Sequence, residues 1–361
     1  VPRIEYDATG AVKGLLIEEA RTNLMTYSND FTKAVWVKSA VSNTANAGVS
    51  PDGTSNANKV VPTTNAGIHY TYQTLNLPNA DHSFSVYVAS SGYGFATICA
   101  GSEGVSNYYA VVIDLSDGTQ TALYSQGTHS KTVTVEPVGS YYRVTISGDG
   151  EKYYVVGASD TGTYTPSDYG FKSFSGDGTS GILLYGAQAE TGAFPTSYIP
   201  TTGATATRAR DLAEIPTSAF GYNNDKGTVV CEFDSASRDG STIFTLVVGQ
   251  ATDGMTAIIY PANRVSYQVV TGGAVQVNLN FDAYATASQV SKVATVYAKD
   301  DFAAVLNGGA VATDTAGSVP LVSTLKLGVY WGGGDFFMSG HIKSIQYYPR
   351  RLTDTQLQEL T

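Results

Sequence analysis

Charge is scarce in this sequence. Only 14% of its 361 residues are Asp, Glu, Lys or Arg, against about 25% in an ordinary soluble domain. What charge there is runs acidic, to a net −10. A nucleic-acid binder needs a basic stripe to displace counterions from phosphate. The nearest approach is Arg208 with Arg210, and Arg350 with Arg351 far along the chain. Nucleic acid is therefore not expected as a partner, and an anionic membrane surface is disfavoured for the same reason. Neutral sugars stay open, as do acidic sugars wherever a local Arg or Lys serves them. Cysteine is nearly absent as well. Cys99 and Cys231 fall in different halves of the chain and are expected as free, buried thiols, and no Cys/His spacing suits a metal. No apolar run approaches the ~20 residues that span a bilayer, and no signal peptide is visible. The chain begins at Val1 rather than Met, which points to a piece of a longer parent.

What is present in quantity is Gly (38) and Tyr (25). Glycine supplies turns, and tyrosine favours pleated, half-buried surfaces. Almost every segment reads as strand, turn, strand. Ser83–Ala89, Lys131–Val135, Tyr141–Ser147 and Tyr153–Val156 alternate with period two. Gly181–Ala187 is a more continuously apolar strand. Asp-Gly pairs at 52–53, 117–118, 149–150 and 177–178 punctuate them. Short strands at this spacing argue for sandwiches or jelly rolls.

The length exceeds that at which one core stops growing, so two domains are expected. The break falls at Phe194–Gly203, where Pro195 and Pro200 stiffen an extended connector. Strand patterning then resumes from Gly227–Phe233 through Ser241–Val248, Met255–Tyr260, Val265–Val270 and Val275–Phe281. Lys292–Ala298 and Phe302–Leu306 read as a hairpin pair, with Asn307-Gly308 as a turn. Leu325–Tyr330 and His341–Tyr348 complete the sheets. The one helix expected is short, at Thr353-Asp-Thr-Gln356, a capping box ahead of Leu357 and Leu360. The sequence thus predicts an all-β chain of two tandem antiparallel β-sandwich (jelly-roll) domains with one short C-terminal helix. Its divisions are a separate N-terminal segment, 1–20, then 21–203 and 204–361. The first segment pairs either with the second sandwich or with upstream chain.

Several segments resemble a module pair found in tail-fibre and adhesin proteins of phages, prophages and phage-like particles. They are Pro2–Asp7, Gly14–Leu24, Tyr27–Phe31 with Trp36, Ser50–Thr54, Gly186–Glu190 and Ser197–Gly203. Together they look like a carbohydrate-binding-module-like jelly roll. The stretch Gly340–Asp354, with Asn307-Gly308, is similar to a concanavalin A-like (laminin-G-like) domain. The resemblance covers nearly the whole chain and is specific for architecture. It implies a particle-borne adhesin on a virion or extracellular particle surface. Host-surface polysaccharide and other fibre proteins would be its partners, and a homo-oligomer, a trimer by analogy, its assembly. It places Trp36 in the first core. It also implies a structural calcium ion near the paired termini of the jelly roll, for which Asp30, Asp177 and Glu190 are candidate oxygen ligands.

Catalytic sets are sparse in the sequence. Glu232 with Asp234 comes nearest to a glycosidase acid pair but lacks a third acid in phase. His69, His82, His129 and His341 are scattered, with no lyase-type Gln-x-His. Gly176–Gly181 is a turn rather than a phosphate loop. The chain therefore reads as a binding protein rather than an enzyme, with a capsule depolymerase or lyase, or a purely structural spacer, as the alternatives. Sugar binding needs flat aromatic faces and polar groups for hydroxyls. In the first domain that points to Tyr93, Tyr108 and Tyr109, with Glu103 and Asn107 nearby. In the second it points to Trp331 and Asp335, flanking Gly332-Gly-Gly.

Overall fold

The structure is a computed structural model. It describes all residues except 1, 8, 76, 78–79, 102–107, 128–130, 150–151, 166–168, 237–239, 249–252, 261–263, 282–288 and 332–335. The chain is all-β, with antiparallel sheets and a short C-terminal helix. It divides into two compact units.

The unit Arg21–Arg208 is a sandwich of two six-stranded sheets. Its front sheet runs, in spatial order, Gln120–Gln126, Tyr108–Asp114, Phe95–Gly101, Tyr153–Ser159, Tyr70–Thr74 and Val37–Ser39. Its back sheet runs Lys131–Val138, Tyr141–Asp149, Asp81–Ser91, Gly181–Thr191, Ala57–Pro62 and Val41–Gly48. Alternate residues point inward, as the period of a strand demands. Phe84, Val86 and Val88 of the back sheet meet Ile98, Val111 and Val156 of the front sheet in one core. Phe84 stacks on Tyr154 with ring centroids 4.7 Å apart. Trp36 is fully buried there, 4.4 Å from Phe31, and donates its indole N–H to the Tyr27 carbonyl at 3.0 Å.

The connector after Gly181–Thr191 is held down by that strand. A bulge between Tyr185 and Gln188, with Gly186 at φ 60°, re-aims the chain. Glu190 is 0% exposed and accepts from the Thr196 N–H (2.7 Å), the Thr196 hydroxyl (2.6 Å) and the Gln188 amide (2.8 Å). Gln188 in turn accepts the Ile199 N–H at 2.6 Å. Buried Asn23 closes the other side, donating to the carbonyls of Ala187 and Ile199 and accepting from the N–H groups of Met25 and Ala189. Every polar atom of that Asn is thereby satisfied. Strand Arg21–Asn23 pairs with Ala206–Arg208, so the two ends of this unit lie side by side.

The other unit contains Val1–Ala20 together with Ala209–Thr361. The N-terminal hairpin is thus the start of the C-terminal sandwich rather than a segment apart, and the division falls at Arg208/Ala209 rather than at 203/204. Strand Val12–Ile17 pairs with Gly340–Tyr348, with Leu16 opposite His341. Gly14, at φ 139°, passes so close that a Cβ would sit 2.7 Å from the Ile342 carbonyl oxygen. The seven-stranded sheet continues through Lys226–Ser235, Ser291–Ala298, Phe302–Leu306 and Ala312–Asp314. A six-stranded sheet faces it: Ala213–Pro216, Thr324–Leu327, Ser241–Val247, Gly254–Tyr260, Arg264–Thr271 and Ala274–Phe281.

Two local expectations shift. The strand expected at Leu325–Tyr330 stops at Leu327, because Gly328 turns at φ 70°. Asn307-Gly308, both at positive φ, joins Phe302–Leu306 to Ala312–Asp314, while the preceding hairpin turns at Asp300. The helix Asp354–Leu360 carries the capping box between Thr353 and Gln356 and buries Leu357 on the outside of the seven-stranded sheet. Both cysteines are free and buried.

Candidate functional site: a tyrosine groove

The front sheet of the Arg21–Arg208 unit builds a groove on its outer face. Alternation sends Tyr70 and Tyr72 to one side of their strand. Tyr153, Val155 and Gly157 share that side, because Val155 lies opposite Tyr72 and Gly157 opposite Tyr70. The next strand contributes Cys99 opposite Val155 and Gly101 opposite Tyr153. Beyond it stand Ala110 opposite Cys99 and Tyr108 opposite Gly101. Cross-strand partners share a face. The middle of the face is therefore a floor of small residues, with tyrosines rising on both sides.

The segment Tyr169-Gly170-Phe171 lies down on this floor. Gly170 has φ 83°, and a Cβ there would come within 2.5 Å of the Ala110 Cβ, so only glycine lets the chain pass this low. Tyr169 then sits 4.7 Å from Tyr108, and Phe171 5.3 Å from Tyr70, centroid to centroid. Tyr72 and Tyr153 face each other at 6.1 Å. These rings enclose a cavity of about 220 Å³ whose lining also includes Cys99 and Val155. Among the described residues no lining residue is charged.

The hydroxyls of Tyr70, Tyr72, Tyr108, Tyr153 and Tyr169 have no hydrogen-bond partner among the described residues. Some tyrosines elsewhere in the chain are engaged. Tyr141 donates to the Val49 carbonyl, Tyr185 to Asp52 and Tyr297 to the Asn223 carbonyl. Burial, reinforced by neighbouring Tyr169, Cys99, Tyr153 and Tyr70, pushes the Tyr108 phenol up to about 12, so it stays a neutral donor and acceptor. Open hydroxyls beside apolar ring faces can hydrogen-bond and stack on one ligand at once.

Of the described residues singled out in the sequence as sugar ligands, the groove takes Tyr108 alone. Tyr109, its neighbour, points the opposite way and packs against the core between the sheets. Tyr93 is turned aside, edge-to-face on Phe174 at 5.3 Å, with its hydroxyl accepting the Asp177 N–H. Glu103, Asn107 and Asp335 lie outside the described residues. Trp331 is 4% exposed, stacked on Tyr330 at 4.8 Å and packed with Val247 and Val270, so it offers a ligand no open face. Its Cε3 would lie 3.2 Å from a Cβ on Gly254, which shows how closely the indole covers that strand. Tyr70, Tyr72, Tyr153 and Tyr169 are not among the sugar ligands expected from the sequence. The i, i+2 pair in His69-Tyr-Thr-Tyr-Gln73 is the signal that points to them.

The three candidate calcium ligands belong to separate networks. Asp30 accepts from Thr32 and pairs with Lys33 at 3.2 Å. Asp177 caps its own turn through the N–H groups of Thr179 and Ser180. Glu190 is spent on Thr196 and Gln188. Among the described residues no group of three or more His, Cys, Asp or Glu could hold a metal ion.

In the other unit, Glu232 faces Lys292 at 3.7 Å, while Asp234 accepts from the backbone N–H and the Nδ1 of His341 at 3.1 and 2.9 Å. His341 Nε2 meets Glu5, which also pairs with Lys13 at 3.2 Å. His129 lies outside the described residues. Burial opposes a charged His341, but the bonds to Asp234 and Glu5 outweigh it and raise the pKa to about 9. The same bond to His341 lowers Glu5 to about 2, against its burial. A raised base stabilises fully below its unfolded value and loses that contribution as pH climbs through its folded value. A lowered acid stabilises above its unfolded value and loses that as pH falls. The N-terminal hairpin is thus expected to hold between about pH 4.5 and 6.5 and to loosen on both sides, as pH rises through about 9 and falls towards about 2. Amide exchange of residues 12–17 against pH checks this; a profile identical in His341→Phe would refute it.

No protein-family model matches the chain, and no curated protein matches it. Among solved structures it is similar to the CBM40 module of the Ruminococcus gnavus IT-sialidase bound to alpha2,3 sialyllactose. The two are 21% identical over 40% of this chain and 86% of that one, with a TM-score of 0.36. Domains LG4-5 of the mouse laminin alpha1 chain match at 9% identity over 79% of this chain and 86% of that one, TM-score 0.31. Chicken galectin 2 matches at 11% identity over 34% and 88%, TM-score 0.26.

Proposed function

We propose that the Arg21–Arg208 unit binds carbohydrate through the tyrosine groove. The observation that carries this reading is the set of unengaged tyrosine hydroxyls around an uncharged floor of small residues. A pyranose presents just the complementary chemistry, a C–H face for an aromatic ring and hydroxyls for phenols. The opening segments that resemble fibre and adhesin modules support a wider setting. In it the chain is an attachment component of a phage or phage-like particle, exposed on the particle surface and directed at host-surface polysaccharide. A shallow single site would be weak, and repetition in a homo-oligomer would supply avidity.

The test is a glycan array probed with the whole chain and with a Tyr108→Ala, Tyr153→Ala double variant. Truncating central aromatics at a binding site costs on the order of 2 kcal/mol or more, so the double variant is expected to lose at least ~30-fold in affinity. Equal binding by both proteins would remove the groove from the reading. Release of oligosaccharide on incubation with a bound polysaccharide would favour a depolymerase instead.

A further inference from the structure

We infer that the groove takes a single neutral sugar ring, at a chain end or side branch, and rejects anionic sugars. This rests on the proposal that the groove is the carbohydrate site, and it adds the class of ligand.

Size gives the first half. Pockets that engulf drug-sized ligands run from about 300 to 1,000 Å³, and this cavity is about 220 Å³. Its shape agrees. Tyr108 and Tyr153 stand on either side of Gly101 in register. Two inter-strand spacings place their Cα atoms roughly 9.6 Å apart. Once the thickness of the two side chains is taken off, one saccharide ring fits between them and a second beside it does not. The segment Tyr169-Gly170-Phe171, lying on Ala110 and against Gly157, closes the floor lengthwise, so a polymer cannot run across the sheet as it would along an open cleft.

Charge gives the second half. A buried carboxylate needs a cation or several directed donors, and without them desolvation costs several kcal/mol. Among the described residues no Lys, Arg or His lines the groove. Tyr108 remains an uncharged phenol, and the chain as a whole carries net charge −10. A sialic or uronic acid would enter against the field of the chain and find only neutral hydroxyls. The same hydroxyls serve a neutral sugar well, because each can donate and accept.

Saturation-transfer NMR and calorimetry on the whole chain test this. The probes are methyl glycosides of glucose, galactose, rhamnose and N-acetylglucosamine, with N-acetylneuraminic acid and glucuronic acid as the anionic pair. At least one neutral glycoside is expected to bind, and tetrasaccharides ending in that sugar to bind within ~3-fold of it. The anionic pair is expected to be at least 10-fold weaker. Tyr108→Phe and Tyr153→Phe keep the rings and the fold, and each is expected to weaken the neutral glycoside several-fold. Equal binding of an acid, or a gain above 10-fold with chain length, would overturn the inference and leave the groove as the site. Failure of every saccharide, or full binding by both Phe variants together, would overturn the assignment of the groove itself.

Discussion

Replacing Glu190 with Ala is expected to lower the unfolding free energy of the Arg21–Arg208 unit by about 3–5 kcal/mol. The carboxyl group is 0% exposed and gathers three donors, the Thr196 N–H, the Thr196 hydroxyl and the Gln188 amide. Truncation leaves the Thr196 N–H and hydroxyl buried without a partner, at about 1–3 kcal/mol apiece and less than additively, while the Gln188 amide keeps its bonds to the Thr196 and Ser197 carbonyls. The loss spreads, because Thr196 is held from its other end too. Its carbonyl accepts from Arg143, itself buried and lying over the Tyr87 ring at 5.5 Å. In a unit of this size such a loss moves the melting temperature by on the order of 10 °C. Trp36 belongs to this core and Trp331 to the other unit. Fluorescence in a Trp331→Phe background therefore follows this unfolding step alone. Glu190→Gln keeps the shape but turns one acceptor into a donor, and should fall between wild type and Ala. A Glu190→Ala protein within 1 kcal/mol of wild type would mean that the connector is not held here.

Replacing Gly157 with Val is expected to damage stability and binding together. A Cβ at this position would lie 2.1 Å from the His69 carbonyl oxygen and 2.8 Å from Phe171. The first atom is backbone of the neighbouring strand region and cannot swing aside; the second belongs to a ring that lines the groove. Overpacking costs about 1–3 kcal/mol where side chains can adjust, and a backbone clash sits at or above the top of that range. Relief by displacing Phe171 would push the ring into the cavity, so saccharide affinity should fall at least ~10-fold even in the fraction that remains folded. Gly94, beside the same sheet, has open space where its Cβ would be. Gly94→Ala should be neutral or slightly stabilising, since alanine restricts the unfolded chain. Denaturant midpoints and glycoside titrations on the two variants make the comparison. A Gly157→Val protein with native affinity would show that Phe171 does not bound the site.

The period of the strands was readable because it is local. So was the helix cap, since Thr353 and Gln356 are three residues apart and their reciprocal bonds need nothing else. The site was less readable. Tyr108 and Tyr109 are adjacent in sequence but occupy opposite faces of one strand, a consequence of alternation that needs the strand's phase to be known. Tyr70, Tyr72, Tyr153 and Tyr169 come together only through strand order, which no single segment encodes. Trp331 stands beside a glycine run and reads as a sugar-ligand candidate, but its environment is made by Val247, Val270 and Gly254 on other strands. Glu190 is a candidate calcium ligand in the sequence, but its donors are Gln188 on its own strand and Thr196 in the connector, a closure that the chain's fold alone brings about.

The discontinuous C-terminal sandwich has a consequence for how the chain comes into being. Leu16 must wait for His341 before its strand can pair. At ribosomal rates of about 5–20 residues per second, that wait is roughly 15–65 s. The whole of Arg21–Arg208 emerges in the interval, with its own two ends already laddered through Arg21–Asn23 and Ala206–Arg208. That unit can fold as a closed loop on the nascent chain, while the hairpin ahead of it stays an unmatched edge. The groove would then be complete before the protein is.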